Sequence, residues 1–376
     1  MENPFTFGKA VRGQDFADRE KEIRELTLDL KSGQNVLIYS QRRYGKTSLI
    51  GEVLSNLRKD GLLTVYVDLF SVTSKGKFAD IYAAALASGT ETMLEAMIRT
   101  IRDFIGVTPR ITLRPEGLPN IEVELGLRKP DVDRALEAIY DVPQRIAEKR
   151  KKRVVVVFDE FQEVSGLNGE NIERSMRAKI QHHDKVAYAF MGSKKHLLDQ
   201  IFGSRARPFY KSAKNYPLGK IPPEKFEKFI AEKFAGTGFK IDGTSIIRIL
   251  NITDGHPHYT QQLCHELWNL CLPKRGIGVS DVGTAVEKVL TINSGEYIRI
   301  WDSLTGLQKT ALVAIAQGGE QIYSSEFIEK HDLGSPQHVQ KAVKAIERKE
   351  LAEKNEKWEI PDIFFKEWLK RLGGGA

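Results

Sequence analysis

The chain has 376 residues, 41% of them hydrophobic, with a formal net charge of +7 and a pI near 9.1. This composition excludes a disordered or fibrous chain and gives enough core for two or three domains. The start lacks the charged-then-apolar order of a signal peptide and no apolar run approaches about 18 residues, so a cytoplasmic protein without a membrane span is expected.

Residues 14–32 carry Phe16, Ile23, Leu26, Leu28 and Leu30 among charges, a spacing that predicts an amphipathic helix. It leads into the apolar run Val36-Leu37-Ile38-Tyr39, then Ser40-Gln41-Arg42-Arg43-Tyr44-Gly45-Lys46-Thr47-Ser48, then a helical pattern from Leu49. Strand, loop and helix in that order match the phosphate-binding pattern G-x-x-x-x-G-K-[ST], with Ser40 in place of the first glycine. Backbone N–H groups around Gly45 can wrap phosphate oxygens, Lys46 can reach the β- and γ-phosphates, and Thr47 offers a hydroxyl to Mg²⁺. The positive end of the following helix points at the anion.

Residues 62–68 read as a second strand ending in Asp68, and helical sequence follows from about Phe78 to Ile105. Two short alternating runs flank a Pro/Gly-rich connection and predict a β-hairpin inserted at about 107–128. If the runs pair, Arg110 and Arg114 come within reach of Glu122 and Glu124. A helix is expected from Asp131 to Arg150. The run Val154-Val155-Val156-Val157-Phe158-Asp159-Glu160 then predicts a strand buried on both faces of a parallel sheet, with two carboxylates at the edge where such sheets bind ligands. Asp159 is expected to serve Mg²⁺ and Glu160 to orient and polarise the attacking water. With the loop at 40–48, this says ATP·Mg²⁺ binding and hydrolysis.

A helix over 174–182 and a strand over 186–191 continue the α/β alternation. Gly192-Ser193 and a helix from Lys194 to Phe202 follow, and Ser193 is placed to sense the γ-phosphate beside Glu160. Arg205 and Arg207 come next, where one could stabilise charge on a neighbour's ATP in a homo-oligomer. Between Arg174 and Lys220, eleven basic residues stand against only Asp184 and Asp199, which marks a candidate nucleic-acid footprint. The segment from 222 to 288 is helix-rich and reads as a lid. In it Cys264 and Cys271 fall on one helical stripe and are expected to be buried hydrophobes. The last block has helices over 304–316, 324–331 and from Ser335-Pro336 to about Arg348, then a hairpin over 351–360 turning at Asn355. This is a winged-helix pattern, whose third helix exposes Gln337, His338, Lys341, Lys344 and Arg348. The block's net charge of −1 is a poor match for phosphate.

These pieces resemble the archaeal ATPases of the AAA+/STAND-like P-loop lineage. The resemblance rests on Phe16-Ala17-Asp18-Arg19-Glu20, on Arg42-Arg43-Tyr44-Gly45-Lys46-Thr47-Ser48, on Phe158-Asp159-Glu160, on Met191-Gly192-Ser193 and on Gly255-His256-Pro257. It implies ATP and Mg²⁺ held between an α/β core and a helical lid. Thr47 and Asp159 would serve the metal, Glu160 the water and Ser193 the first sensor. Phe16 and Arg19 would line the base side, with Pro257 on the lid. His256-Pro257-His258-Tyr259 stands where such lids carry an arginine.

The expected architecture is an α/β P-loop core with an AAA+-like parallel sheet over residues 1–220, a helical lid over 221–295 and a winged-helix domain over 296–376. The leading functional expectation is an ATPase acting on nucleic acid, DNA above all, through the basic segment and the winged helix. It would assemble as a homo-oligomer, with Arg207 as the catalytic arginine. The alternative is a slow nucleotide-gated switch whose winged helix binds a protein partner or an operator.

Overall fold

The computed structural model describes residues 2–373 except 12, 14, 15, 90–93, 96, 97, 100, 101, 103–109, 115–119, 129, 130 and 168. The chain divides into two units, one comprising Arg12–Gly219 and the other Met1–Val11 with Lys220–Ala376.

The first unit begins with α1 (Glu20–Ser32), β1 (Val36–Tyr39), α2 (Lys46–Lys59), β2 (Leu63–Asp68) and α3 (Lys75–Gly89). The hairpin follows as β3 (Arg110–Arg114) and β4 (Asn120–Glu124), then α4 (Val132–Tyr140), α5 (Val142–Arg150) and β5 (Val154–Asp159). A 3-10 turn at Phe161–Leu167 leads to α6 (Gly169–Ile180), β6 (Val186–Gly192), α7 (Lys195–Gly203) and β7 (Lys214–Pro217).

Five strands form one parallel sheet in the order β2-β5-β6-β1-β7. Every residue of β5 and β6 is buried, as their unbroken apolar sequences require. Their pleat sorts large from small side chains. Phe158, Tyr188 and Phe190 face a cluster with Tyr82, Tyr140 and Phe161, while Val155, Val157, Ala187 and Ala189 face α1 and α2. Small residues on that side let α2 lay Leu49, Ile50, Val53, Leu54 and Leu57 against the strands. Each such side chain contributes roughly 1.5–3 kcal/mol on burial. This packing fixes where α2 starts, and therefore where the phosphate loop sits.

The structure departs from the expectations at several places. The first helix starts at Glu20, not residue 14, because Asp18 and Arg19 adopt left-handed backbone with φ of 57° and 84°. The expected helix over 131–150 is two helices, because Pro143 in the first turn of α5 cannot continue α4: it lacks an N–H and its ring clashes with the preceding turn. Strand β7 was not expected at all. Its Lys-Asn-Tyr-Pro sequence carries no apolar run, since it is an exposed edge strand that among the described residues pairs only with β1. The hairpin pairs Arg110 with Glu124 as expected, but Arg114 stands opposite Asn120. Its Pro/Gly-rich connection and most of the expected helix between 90 and 105 lie outside the described residues.

The second unit contains α8 (Pro223–Gly236), β8 (Lys240–Ile241), α9 (Gly243–Thr253), α10 (Pro257–Cys271), β9 (Gly276–Ile277) and α11 (Val279–Asp302). The winged-helix elements follow: α12 (Gly306–Gln317), α13 (Ser325–Lys330), α14 (Pro336–Arg348), β10 (Glu353–Lys354), β11 (Trp358–Glu359) and α15 (Ile363–Gly373). The N-cap expected at Ser335 is present, where the hydroxyl accepts from the His338 N–H, and Ser324 caps the preceding helix in the same way by accepting from the Phe327 N–H. Cys264 and Cys271 are free and buried, and burial pushes both thiols up. Residues 1–11 were expected in the core but belong to this unit. Phe5 packs on Phe234 with ring centroids 4.6 Å apart, and the Asn3 amide donates to the His265 carbonyl at 3.0 Å. No helix among the described residues is long and apolar enough to cross a membrane.

Candidate active site

The phosphate loop turns on two left-handed residues, Arg43 at φ 66° and Gly45 at φ 87°. Gly45 is the N-cap of α2, so its conformation aims the helix's first N–H groups into the loop. Ser40 is not among the left-handed residues, which is why a serine fits where the pattern has glycine. It is nearly buried, and Lys46 Nζ donates to its carbonyl at 3.0 Å, to its Oγ at 3.3 Å and to the Gln41 carbonyl at 3.1 Å. The ammonium is therefore held inside the loop by oxygens that phosphate oxygens can replace. Burial lowers the Lys46 pKa, and the nearby charges of Glu160 and Asp159 oppose that shift. Tyr44 and Ser48 are buried, whereas Arg42, Arg43 and Thr47 are exposed.

Asp159 and Glu160 end β5. Thr47 Oγ1 lies 3.4 Å from Asp159 Oδ2, which brings together the two oxygens expected to serve a metal. Tyr66, on the neighbouring strand β2, donates its hydroxyl to the same Asp159 oxygen. Burial raises the Asp159 pKa; the Tyr66 bond opposes the rise and the Glu160 charge adds to it. Burial and Asp159 raise the Tyr66 phenol in turn, so it stays protonated as a donor. The Glu160 backbone N–H donates to Asp159 Oδ1 at 2.9 Å.

Glu160 itself has φ 50°, a left-handed conformation that costs a non-glycine residue on the order of 1–2 kcal/mol. The turn directs its carboxylate toward β6, where Ser193 Oγ donates to Glu160 Oε2 at 3.0 Å. The expected pairing of Ser193 with Glu160 is therefore present. Gln162, in the 3-10 turn, donates from Nε2 to the same Glu160 oxygen.

Arg207 is placed differently from its expected role. Its Nε donates to Glu173 Oε2 at 2.9 Å, a second nitrogen bonds Glu173 Oε1, and a third lies 3.7 Å from Glu170. Glu173 is fully buried, so the arginine compensates a carboxylate inside its own subunit. Arg205, two residues earlier, is exposed. Arg19 is also committed within its unit, donating to Glu22 at 2.8 Å and to the Gly219 carbonyl at 2.5 Å. Phe16 packs against the cluster under α1 and α2. Pro257 lies in the other unit, in the first turn of α10, where His256 is the N-cap.

Sequence reasoning missed Tyr66 and Gln162. Tyr66 was read only as part of a strand, although it stands opposite Val157, two residues before Asp159. Gln162 is a polar residue at 1% exposure, and its meaning depends on a contact with β6 that no spacing reveals.

The basic segment also reads differently in three dimensions. Six of its eleven cations form ion pairs with acids outside it: Arg174 with Glu170, Lys179 with Asp141, Lys194 with Glu163, Arg207 with Glu173, Lys214 with Asp29 and Lys220 with Asp254. By contrast, Lys341, Lys344 and Arg348 line the exposed face of α14, opposite its buried Val339, Ala342, Val343 and Ile346.

A model of ATPase domains predominantly from Archaea matches residues 16–263, and a model described as a "probable winged helix domain" matches 295–371. Among solved structures the chain is similar to a Walker-type ATPase of Pyrococcus abyssi, with a TM-score of 0.68 and 16% identity over 98% of this chain and 99% of that one. It is similar to the Aeropyrum pernix ORC1 protein in complex with DNA, with a TM-score of 0.50 and 13% identity over 95% and 93% of the two chains. The ADP form of the ORC2 protein from the same organism gives 0.50 and 12% over 95% and 94%. No curated protein matches the sequence. The α/β core with P-loop and the C-terminal winged helix are thus both as expected.

Proposed function

The chain belongs to the family of ATPase domains found predominantly in Archaea, and from that premise we propose that it hydrolyses ATP with Mg²⁺ while binding DNA through the third helix of its winged-helix domain. The observation that carries the DNA reading is the face of α14, where Lys341, Lys344 and Arg348 are exposed and form no ion pair among the described residues. Arginine and lysine on an exposed recognition helix suit the phosphates and base edges of a duplex. The solved ORC1 neighbour holds DNA, which is consistent with this reading.

At the nucleotide site, Lys46 would exchange its loop carbonyls for β- and γ-phosphate oxygens, and the N–H groups beyond Gly45 would take others. The paired Thr47 hydroxyl and Asp159 carboxylate fit a hard cation that prefers oxygen ligands. Bound there, Mg²⁺ would neutralise charge on the phosphates. Tyr66 holds Asp159 in place from β2. Glu160 would orient a water and take its proton, with Ser193 fixing one carboxylate oxygen. In a homo-oligomer, the exposed Arg205 would be the arginine that reaches a neighbouring site, since Arg207 is engaged by Glu173.

Glu160→Gln should lower turnover by about 10²- to 10⁴-fold while ATP binding persists. Duplex affinity measured across a salt series should fall steeply with salt. Salt-insensitive turnover with no DNA affinity at low salt would sink the DNA reading. Mixing E160Q with R205A protein should restore part of the turnover if the arginine acts across a subunit boundary.

A further inference from the structure

We propose that Gln162 is a positioning residue for the hydrolytic carboxylate: its side-chain amide, wedged between the acidic turn and β6, sets the position of Glu160. This rests on the reading of Glu160 as the group that activates water.

The argument starts from what the amide can satisfy. Its NH₂ group has two hydrogens, and two carboxylates lie within reach. Nε2 donates to Glu160 Oε2 and lies 3.4 Å from Glu163 Oε1, while Glu163 is itself held by Lys194 at 3.3 Å. The amide is therefore oriented by two negative groups. Turning it over would set its oxygen against both. The consequence is visible at the other end, where Gln162 Oε1 is buried with no hydrogen-bond partner among the described residues. A buried amide oxygen left in this state is unfavourable, and the charge-assisted bonds at the nitrogen offset it.

The wedge is also shaped from β6. Gly192 is not left-handed, so its backbone would accept other residues, but a Cβ added there would collide with Gln162 Oε1 and come within 3.0 Å of Leu198 Cδ1. Glycine at 192 thus makes room for the amide oxygen, and Ser193, the next residue, donates to the same Glu160 oxygen that Gln162 holds. Two donors from two elements converge on Oε2. They leave Oε1 of Glu160 as the oxygen available to water. A single-donor arrangement would let the carboxylate rotate about its terminal torsion, which is soft in glutamate.

The test compares Gln162→Met, which keeps length and removes the donor, with wild type and with the same change in a Glu160→Gln background. Gly192→Ala, which displaces the amide from the other side, serves as the second variant. The expected result is a fall in kcat of about 10- to 100-fold for Q162M and G192A, with ATP Kd close to wild type for both and Tm close to wild type for Q162M, while the crowding at Gly192 lowers the Tm of G192A. In the E160Q background Q162M should lower the residual turnover no further. A kcat for Q162M equal to wild type overturns the proposal, as does an equal loss in both backgrounds or a loss confined to ATP affinity. If E160Q alone keeps full turnover, the water-activating reading fails first and is identified as the point of failure.

Discussion

Two groups of cations in this chain look alike in a list and opposite in space. The segment from Arg174 to Lys220 has the larger excess by sequence, yet acids from α1, the turn before α5, the acidic turn after β5, the start of α6 and the end of α9 meet six of its charges. The winged-helix block has a net charge of −1, yet α14 gathers three cations on one exposed face. A net charge counted along the chain sums over every direction, whereas a polyanion meets one face. Duplex binding depends on the cations that face it without a competing carboxylate.

The largest effect that would sharpen this contrast lies at Arg207. Removing it leaves Glu173 buried without its partner, so Arg207→Met should destabilise the protein by about 3–5 kcal/mol, measured by denaturant unfolding near neutral pH. The pH dependence follows from Glu173, whose pKa burial raises while Arg207 holds it down. A carboxylate raised in the folded state favours folding when protonated and loses that contribution as pH rises through its folded pKa. Without Arg207 the rise is greater, so the penalty of the variant should be large at pH 8 and shrink as the pH falls toward 5. A penalty independent of pH would mean that the pairing is not its source. Duplex affinity of any folded R207M protein should be unchanged.

Next in size is the combined Lys341→Ala, Lys344→Ala, Arg348→Ala variant. If all three meet phosphates, the slope of log affinity against log salt should become shallower by about 2.7, at roughly 0.9 per phosphate on B-form DNA. Its basal ATP turnover and Tm should match wild type, because these side chains are exposed and outside the nucleotide site. An unchanged slope would break the comparison at its winged-helix end. After it comes Tyr66→Phe, which removes a hydroxyl from Asp159 and should raise the Mg²⁺ concentration needed for half-maximal turnover by about 10- to 100-fold, the usual range for a lost partner of a metal ligand.

How much of this was legible beforehand follows the range of the interactions involved. The loop at 40–48, the strand carrying Asp159 and the cap at Ser335 are local, so spacing and residue type disclosed them. Ser193 lies beside Glu160 because strand order puts the ends of β5 and β6 side by side. Strand β7 was not legible, because its strand character comes from β1 and not from its own apolar content. Arg207 was misplaced for a related reason: Glu173 precedes it by 34 residues, and only the packing of α6 brings the two together. Gln162 was hidden because its partner on the far side is a glycine, a residue with no side chain to announce the contact.

The smallest effect tests the core end of the comparison most directly. Lys214 pairs with Asp29 at 2.7 Å across the edge of the sheet, but the lysine is 52% exposed and the pair is open to water and salt. Such exposed pairs add little to stability, so Lys214→Ala should leave the unfolding midpoint close to wild type. Its effect on DNA should be smaller still. The charge removed is already cancelled by Asp29, and losing the lysine exposes an aspartate that faces the same solvent. If binding moves at all through this site, Asp29→Asn should strengthen it by uncovering the lysine, while K214A weakens it slightly. Should K214A instead cost as much affinity as the triple change on α14, the pairing would not silence the segment, and the polymer would have to be sought along Arg174 to Lys220 after all.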